Sequence, residues 1–254
     1  VDVVVAAVAG LLIGSFLTVV VDRVPRGESV VAPGSRCGSC GLRLGPRDLV
    51  PVVSWLVLRG RCRQCGAAIG AEPVVVELAT AAVFVTFALA LGEPVTVAAF
   101  CVLGAGLVAL TWIDLRTKRL PREITYTTML VGAPLLAVAA VAEGEPSRIA
   151  TAAGGAVLAL AMMGGLYVAS RGGLGDGDVR LSPLLGMYLG WMSLGYVPVG
   201  IFLGFVFGAA VSVVLLAAGR AGRKTALPFG PFLALGTVVG ILVGQDAIDA
   251  ILRR

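Results

Sequence analysis

Residues 94–116 read PVTVAAFCVLGAGLVALTWIDLR: twenty residues without a charge, then Asp114, Leu115 and Arg116. An α-helix needs about 20 apolar residues to cross the hydrocarbon core of a bilayer, so this stretch sets the class of the chain. The composition agrees, with 58% hydrophobic and only 14% charged residues among 254, where soluble domains carry about 25% charged residues. The mean hydropathy is +0.97. The expected fold class is an all-α polytopic membrane protein. Apolar runs near 3–21, 73–92, 94–113, 125–142, 149–169, 181–194, 197–219 and 229–249 predict about eight transmembrane helices. The run at 181–194 is short, which leaves open a tilted span, a partly re-entrant one, or one joined to the next through Gly195 and Pro198.

Charge placement predicts how these helices run. Of 20 Lys and Arg, 17 fall in the segments 22–72, 114–124, 170–180 and 220–228, while 143–148 holds only Arg148 and the chain closes on Arg253 and Arg254. By the positive-inside rule those four segments are cytoplasmic and both termini lie outside. The first span has no basic region before it and carries Arg23 and Arg26 behind it, the pattern of a signal-anchor rather than a cleaved signal peptide. Because the chain opens at Val1 rather than Met, a few residues are expected to precede it. Eighteen of the basic residues are arginine, and Val, Ala and Gly abound, as a GC-rich genome would give. The net charge of +5 sits in loops between spans and points to the lipid bilayer, with no nucleic-acid partner expected.

The chain contains no histidine. A Ser-His-Asp triad, a Cys-His pair and a His-Glu-x-x-His zinc site are therefore excluded, and paired carboxylates are the leading acid–base machinery left. Two segments offer them: Trp112-Ile113-Asp114-Leu115-Arg116 and Gly175-Asp176-Gly177-Asp178-Val179-Arg180. Each sets an acid in a basic loop, flush against an apolar run, where ionisable groups are costly and tend to be functional. Two carboxylates within a few ångströms cannot both ionise easily, so one keeps a proton while the other deprotonates a water. Such a dyad titrates as a unit. Gly173, Gly175 and Gly177 would let a substrate peptide approach the backbone closely. An aspartic peptidase at a membrane surface is the reading these residues invite.

The longest polar segment, 22–72, holds four of the five cysteines as Cys37-x-x-Cys40, a gap of 21 residues, and Cys62-x-x-Cys65. Two Cys-x-x-Cys knuckles can close a tetrahedral structural zinc site, and cytosolic thiols stay reduced. A zinc-ribbon-like loop is expected, with a thiol redox pair or metal-free cysteines as the alternatives. Cys101, inside a span, reads as a packing residue. The expected domains are a first transmembrane helix (1–21), a cytoplasmic two-knuckle domain (22–72) and a transmembrane peptidase core (73–254).

Several strings occur in order along nearly the whole chain: Gly14-Ser15-Phe16-Leu17 with Arg23-Val24-Pro25, the two knuckles around Pro51-Val52-Val53-Ser54-Trp55 and Leu58-Arg59-Gly60-Arg61-Cys62, Asp114 with Leu120-Pro121, the Gly-x-Gly-Asp segment, and Pro228-Phe229-Gly230-Pro231. Together they resemble the bacterial type IV prepilin peptidases, which serve type IV pilus assembly and secretion. The resemblance implies an enzyme of the bacterial cytoplasmic membrane with its active site near the cytoplasmic face. It would cut the basic leader from prepilins or pseudopilins after a glycine and then N-methylate the new terminal residue with S-adenosylmethionine. The knuckle loop would belong to the methylating form.

Matched position by position, the family's first catalytic aspartate lies six residues before Leu-Pro and selects Asp114. The second closes Gly-x-Gly-Asp before an apolar residue, a base and Leu. Asp178, followed by Val179, Arg180 and Leu181, fits where Asp176 does not. Asp176 would then stand at a variable position, facing water or adding charge to the pair. Ser15, Glu77, Arg59 and Arg61 are candidates to line the S-adenosylmethionine site, with packing and surface charge as their plain alternatives. The chain departs from the family at Thr18, Asp22, Arg180 and Pro73-Val74. Two other classes remain: a non-enzymatic assembly factor or transporter, against which the carboxylates lie at span ends rather than near the midplane, and a thiol oxidoreductase, which needs exposed, low-pKa cysteines.

Overall fold

The computed structural model describes residues 2–171, 173–220, 222 and 227–252, with side chains up to residue 244. The basic residues Arg223, Lys224, Arg253 and Arg254, used above to orient the spans, lie outside the described residues. Among the described residues there are nine α-helices and no strand: α1 (Val3–Arg23), α2 (Val53–Val57), α3 (Glu72–Ala90), α4 (Pro94–Thr117), α5 (Arg122–Ala142), α6 (Ser147–Ala169), α7 (Asp176–Met192), α8 (Tyr196–Ala217) and α9 (Gly230–Leu252). Six of them, α1, α3, α4, α5, α6 and α8, are long and apolar enough to cross a membrane. The chain divides into two compact units at Ala109/Leu110, within α4.

In the first unit, α1 starts where the Asp2 carboxylate accepts the Val4 amide at 2.8 Å, an N-cap bond of the usual kind. Helices α1 and α3 lie backbone against backbone. A Cβ on Gly14 would come 2.6 Å from the Glu77 Cα, and one on Gly10 would meet the Ala81 Cα at 2.5 Å. Small residues at membrane helix crossings permit this approach. The first part of α4 packs near α3 through Phe87 and Phe100, edge to face at 5.6 Å. Between α1 and α3 runs the polar segment with the cysteines and the short α2.

In the second unit, α7 is the centre. It begins at Asp176, five residues before the predicted run, because Gly175 is extended (φ −67°, ψ 138°) and Asp176 and Asp178 occupy the first turn, where the helix dipole favours negative charge. Seventeen residues reach about 25 Å, short of the ~30 Å hydrocarbon core. Protein rather than lipid surrounds most of α7: eleven of its residues, from Asp178 to Trp191, are buried. That explains its weak hydropathy. It is a helix of its own, separated from α8 by Ser193, Leu194 and Gly195, so the joined alternative is not what forms. Gly190 of α7 crosses α6 so tightly that a Cβ there would sit 2.7 Å from the Gly155 Cα. On the α5 side the Trp191 indole donates to the Leu136 carbonyl at 3.3 Å. The ninth helix is apolar over Gly230–Gly244.

Candidate active site and cysteine cluster

Asp114 stands in the last turn of α4, which stops as Lys118 turns left-handed (φ 52°) and its amide returns to the Asp114 carbonyl at 2.8 Å. A left-handed residue just past the last turn is a common helix terminator. Three residues on, Pro121 takes an extended conformation (φ −60°, ψ 123°) and begins α5. Leu120-Pro121 is thereby pinned beside the carboxylate. Asp178 lies in the first turn of α7, its Oδ2 at 2.8 Å from where a Cβ on Gly175 would stand. Both carboxylates are buried, at 4% and 6% exposure, while Leu115 and Asp176 close by are exposed. Asp178 lies within the field of Asp114.

Asp176 behaves differently. Its side chain is 62% exposed and pairs with Arg180 one turn on, as helix positions i and i+4 allow. It faces water, one of the two environments expected of it.

Sequence reasoning missed a third element. The Gly230 amide, at the first residue of α9, donates to Asp114 Oδ2 at 3.0 Å. A Cβ on Gly230 would come 2.9 Å from that oxygen and 3.0 Å from Leu120 Cδ2. Phe229 anchors this end of α9, its ring 4.8 Å from that of Phe205 and against Gly208 of α8. Leu120 also lies 3.2 Å from the Cβ position of Gly177, so one leucine touches both the Gly-Asp turn and the start of α9. The Pro228-Phe229-Gly230-Pro231 string was the only sign of this in the sequence.

The polar segment of the first unit gathers its cysteines as the spacing predicted. Each knuckle is a turn closed by backbone bonds, Cys37 N–H to Leu42 O and Cys62 N–H to Ala67 O, both at 2.8 Å. Gly41 (φ +71°) and Gly66 (φ +68°) supply the left-handed corner that other residues resist. The four sulfurs of Cys37, Cys40, Cys62 and Cys65 lie within 4.8 Å of one another. Cys37 and Cys65 Sγ are 3.8 Å apart, the edge of a tetrahedron with Zn–S bonds of about 2.3 Å. The donor set fits a tetrahedral soft-metal site. The Cys40 amide, then the Ser39 amide and the Cys62 thiol, draw the Cys37 thiol down to about 6, toward the thiolate a metal needs.

The remaining candidates are scattered in role. Glu77 is buried and accepts the Val52 amide at 2.7 Å. Arg59 and Arg61 are exposed at the turn after α2, and Arg61 pairs with Ala68 across the second knuckle. Ser15 is half-buried on α1, where its carbonyl accepts the Thr18 hydroxyl at 2.6 Å. Cys101 is half-buried in α4.

Comparison with known proteins covers both parts. A family model described as bacterial peptidase A24 N-terminal domain matches residues 8–91, the stretch with the four cysteines. One described as type IV leader peptidase family matches residues 101–213, the stretch with both buried carboxylates. A prepilin leader peptidase/N-methyltransferase of Myxococcus xanthus is 37% identical over 86% of this chain and 64% of its own length. Its namesake from Burkholderia pseudomallei is 35% identical over 94% of this chain and 84% of its own, and one from Pseudomonas aeruginosa is 32% identical over 93% and 89%. No solved structure matches the chain. With two family models in tandem and relatives aligned over nearly its whole length, the chain belongs to the bacterial type IV leader peptidase family.

Proposed function

We propose that this chain is a bacterial membrane aspartic endopeptidase that removes the basic leader of type IV prepilins or pseudopilins and N-methylates the residue it exposes. The single observation that carries the peptidase half is the pair Asp114 and Asp178: buried, with Leu120 against both Gly177 and Gly230 beside them, and set at the ends of two helices in a chain without histidine. One carboxylate takes a proton from water as the water oxygen attacks the scissile carbonyl carbon. The other, protonated, gives its proton to the carbonyl oxygen. Collapse of the tetrahedral adduct breaks the C–N bond: the amine leaves with the proton that the first carboxylate had taken, and one hydroxyl proton of the adduct returns to the second carboxylate as the new carboxyl group forms. The Gly230 amide holds Asp114 in place for this.

All eight long helices, including α7 and α9, are proposed to span the membrane, placing the dyad at the cytoplasmic face as the charge pattern requires. The domains follow as 1–21, 22–72 and 73–254. Methyl transfer is assigned to the N-terminal part, where the A24 N-terminal family model matches residues 8–91. S-adenosylmethionine is its consumed methyl donor. Cys37, Cys40, Cys62 and Cys65 would hold a structural zinc, whose binding free energy would order the loop.

The test is the purified protein in detergent with a prepilin. Leader removal together with a product one methyl group heavier than the cleaved pilin, by mass spectrometry, is the expected result. An intact prepilin after exhaustive incubation would refute the reading.

A further inference from the structure

Glu77 is a buried ionisable side chain that leader cleavage does not use. It lies in the second turn of α3 (Glu72–Ala90), at 5% exposure, with the α1 backbone at Gly14 against its Cα. Ionisable groups in apolar helices are costly and persist where they have a task. Its Oε2 accepts the Val52 N–H at 2.7 Å, 25 positions back in the chain.

Val52 is itself unusual. Its φ of 60° and ψ of −49°, together with a bond from the Val53 amide to the Pro51 carbonyl, define a γ-turn of the positive-φ type, which is rare and strained. A β-branched residue resists that conformation most. Strained turns persist only where their surroundings hold them. The turn opens α2, whose Trp55 indole donates to the Ile69 and Gly70 carbonyls at 3.3 and 3.2 Å and stacks on Gly60, against the second knuckle. A continuous path therefore runs from Glu77 through Val52, α2 and Trp55 to Gly60, Ile69 and Gly70, which flank the second knuckle.

We propose that Glu77 is a positioning residue, a latch that holds the Pro51–Val53 turn and through it docks the cysteine loop on α3 for methyl transfer. The inference rests on the proposed methyltransferase reading for its functional consequence, and on geometry alone for the latch. It is an alternative to the expectation that Glu77 lines the methyl-donor site, and the test separates the two.

The test compares Glu77→Gln, Glu77→Ala and Glu77→Ala/Val52→Gly in the full-length protein. Protease sensitivity of residues 22–72 and the methylated fraction of cleaved prepilin are read in parallel. Glutamine keeps an acceptor oxygen in place, so the loop should stay protected and methylation should stay within about twofold. Alanine should speed loop cleavage and lower the methylated fraction by about tenfold, the equivalent of one strong hydrogen bond, with leader removal unchanged. Glycine at 52 relieves the strained φ and should recover part of both losses. Loss of methylation in Glu77→Gln with the loop still protected would overturn the latch in favour of a direct chemical role. Unchanged loop protection in Glu77→Ala would overturn it outright, and should that variant not accumulate, the Gln variant decides. A parent protein that never methylates would instead sink the methyltransferase reading, while the proteolysis arm still judges the latch.

Discussion

The Gly230 amide lies 3.0 Å from Asp114 Oδ2, joining two residues 116 positions apart in the chain. That bond ties the start of α9 to the end of α4 and fixes the orientation of a buried carboxylate. A side chain at 230 would stand 2.9 Å from the same oxygen, closer than real Cβ atoms come, and 3.0 Å from Leu120, tighter than most. Gly230→Ala should therefore displace Asp114 while leaving the protein folded. A displacement of about 1 Å at a reacting group can cost about a hundredfold in rate. We expect kcat for leader cleavage to fall by about that factor with KM little changed, measured by steady-state assay of purified enzyme. Near-normal kcat would show that Asp114 does not depend on this support.

The dyad gives the sharpest contrast. Asp114→Asn and Asp178→Asn should each abolish leader removal, by about a thousandfold or more, because an amide cannot exchange the proton on which acid–base chemistry depends. The double variant should be no worse than either single one, as groups acting as a unit are not additive. Asp176→Asn should retain activity, since that side chain is exposed and bonded to Arg180. A dead Asp176→Asn beside an active Asp178→Asn would move the site one half-turn upstream.

How much of this could be read from the sequence follows from which contacts are local. The helices were legible because twenty uncharged residues, as at 94–113, leave few other structures. The family resemblance preferred Asp178 to Asp176 through Val179, Arg180 and Leu181, and in the structure Asp178 is buried while Asp176 is exposed; the knuckles carry their geometry in a four-residue spacing. The α7 start was not legible. Hydropathy marks lipid exposure, and α7 is wrapped by protein, so its first turn reads as loop. The Gly230 bond, the Leu120 contact with both glycine turns and the Glu77–Val52 latch each join residues far apart in the chain, and no local pattern encodes them.

The cysteine cluster predicts a metal dependence. Zinc analysis should give about one equivalent per chain, and Cys62→Ser should render residues 30–70 protease-sensitive while the membrane helices stay intact, because site binding energy is folding energy. The ligands must be deprotonated to bind, so affinity falls as pH falls. Acidification or chelation should release the metal and expose four alkylatable thiols. Methylation should be lost with it and cleavage largely kept. Less than about half an equivalent of zinc, with all four thiols reactive in the native protein, would count against the site.

The α6–α7 crossing links stability to activity. Gly190 and Gly155 approach so that a Cβ at 190 would sit 2.5 Å from the Thr151 carbonyl and 2.7 Å from the Gly155 Cα. These are backbone atoms, which no rotamer change can move aside. Gly190→Val must then push the helices apart, and overpacking of this kind costs about 1–3 kcal/mol. Asp178 sits on the same rigid helix, three turns up. A tilt of α7 about the crossing would carry its first turn away from Asp114, so activity should fall more than the loss of folded protein explains. Thermal unfolding in detergent and specific activity per folded molecule, measured side by side, separate the two effects. Lower thermal stability with full specific activity would mean that α7 shifts at its far end only and that the dyad is held locally, by Gly175 and the start of α9.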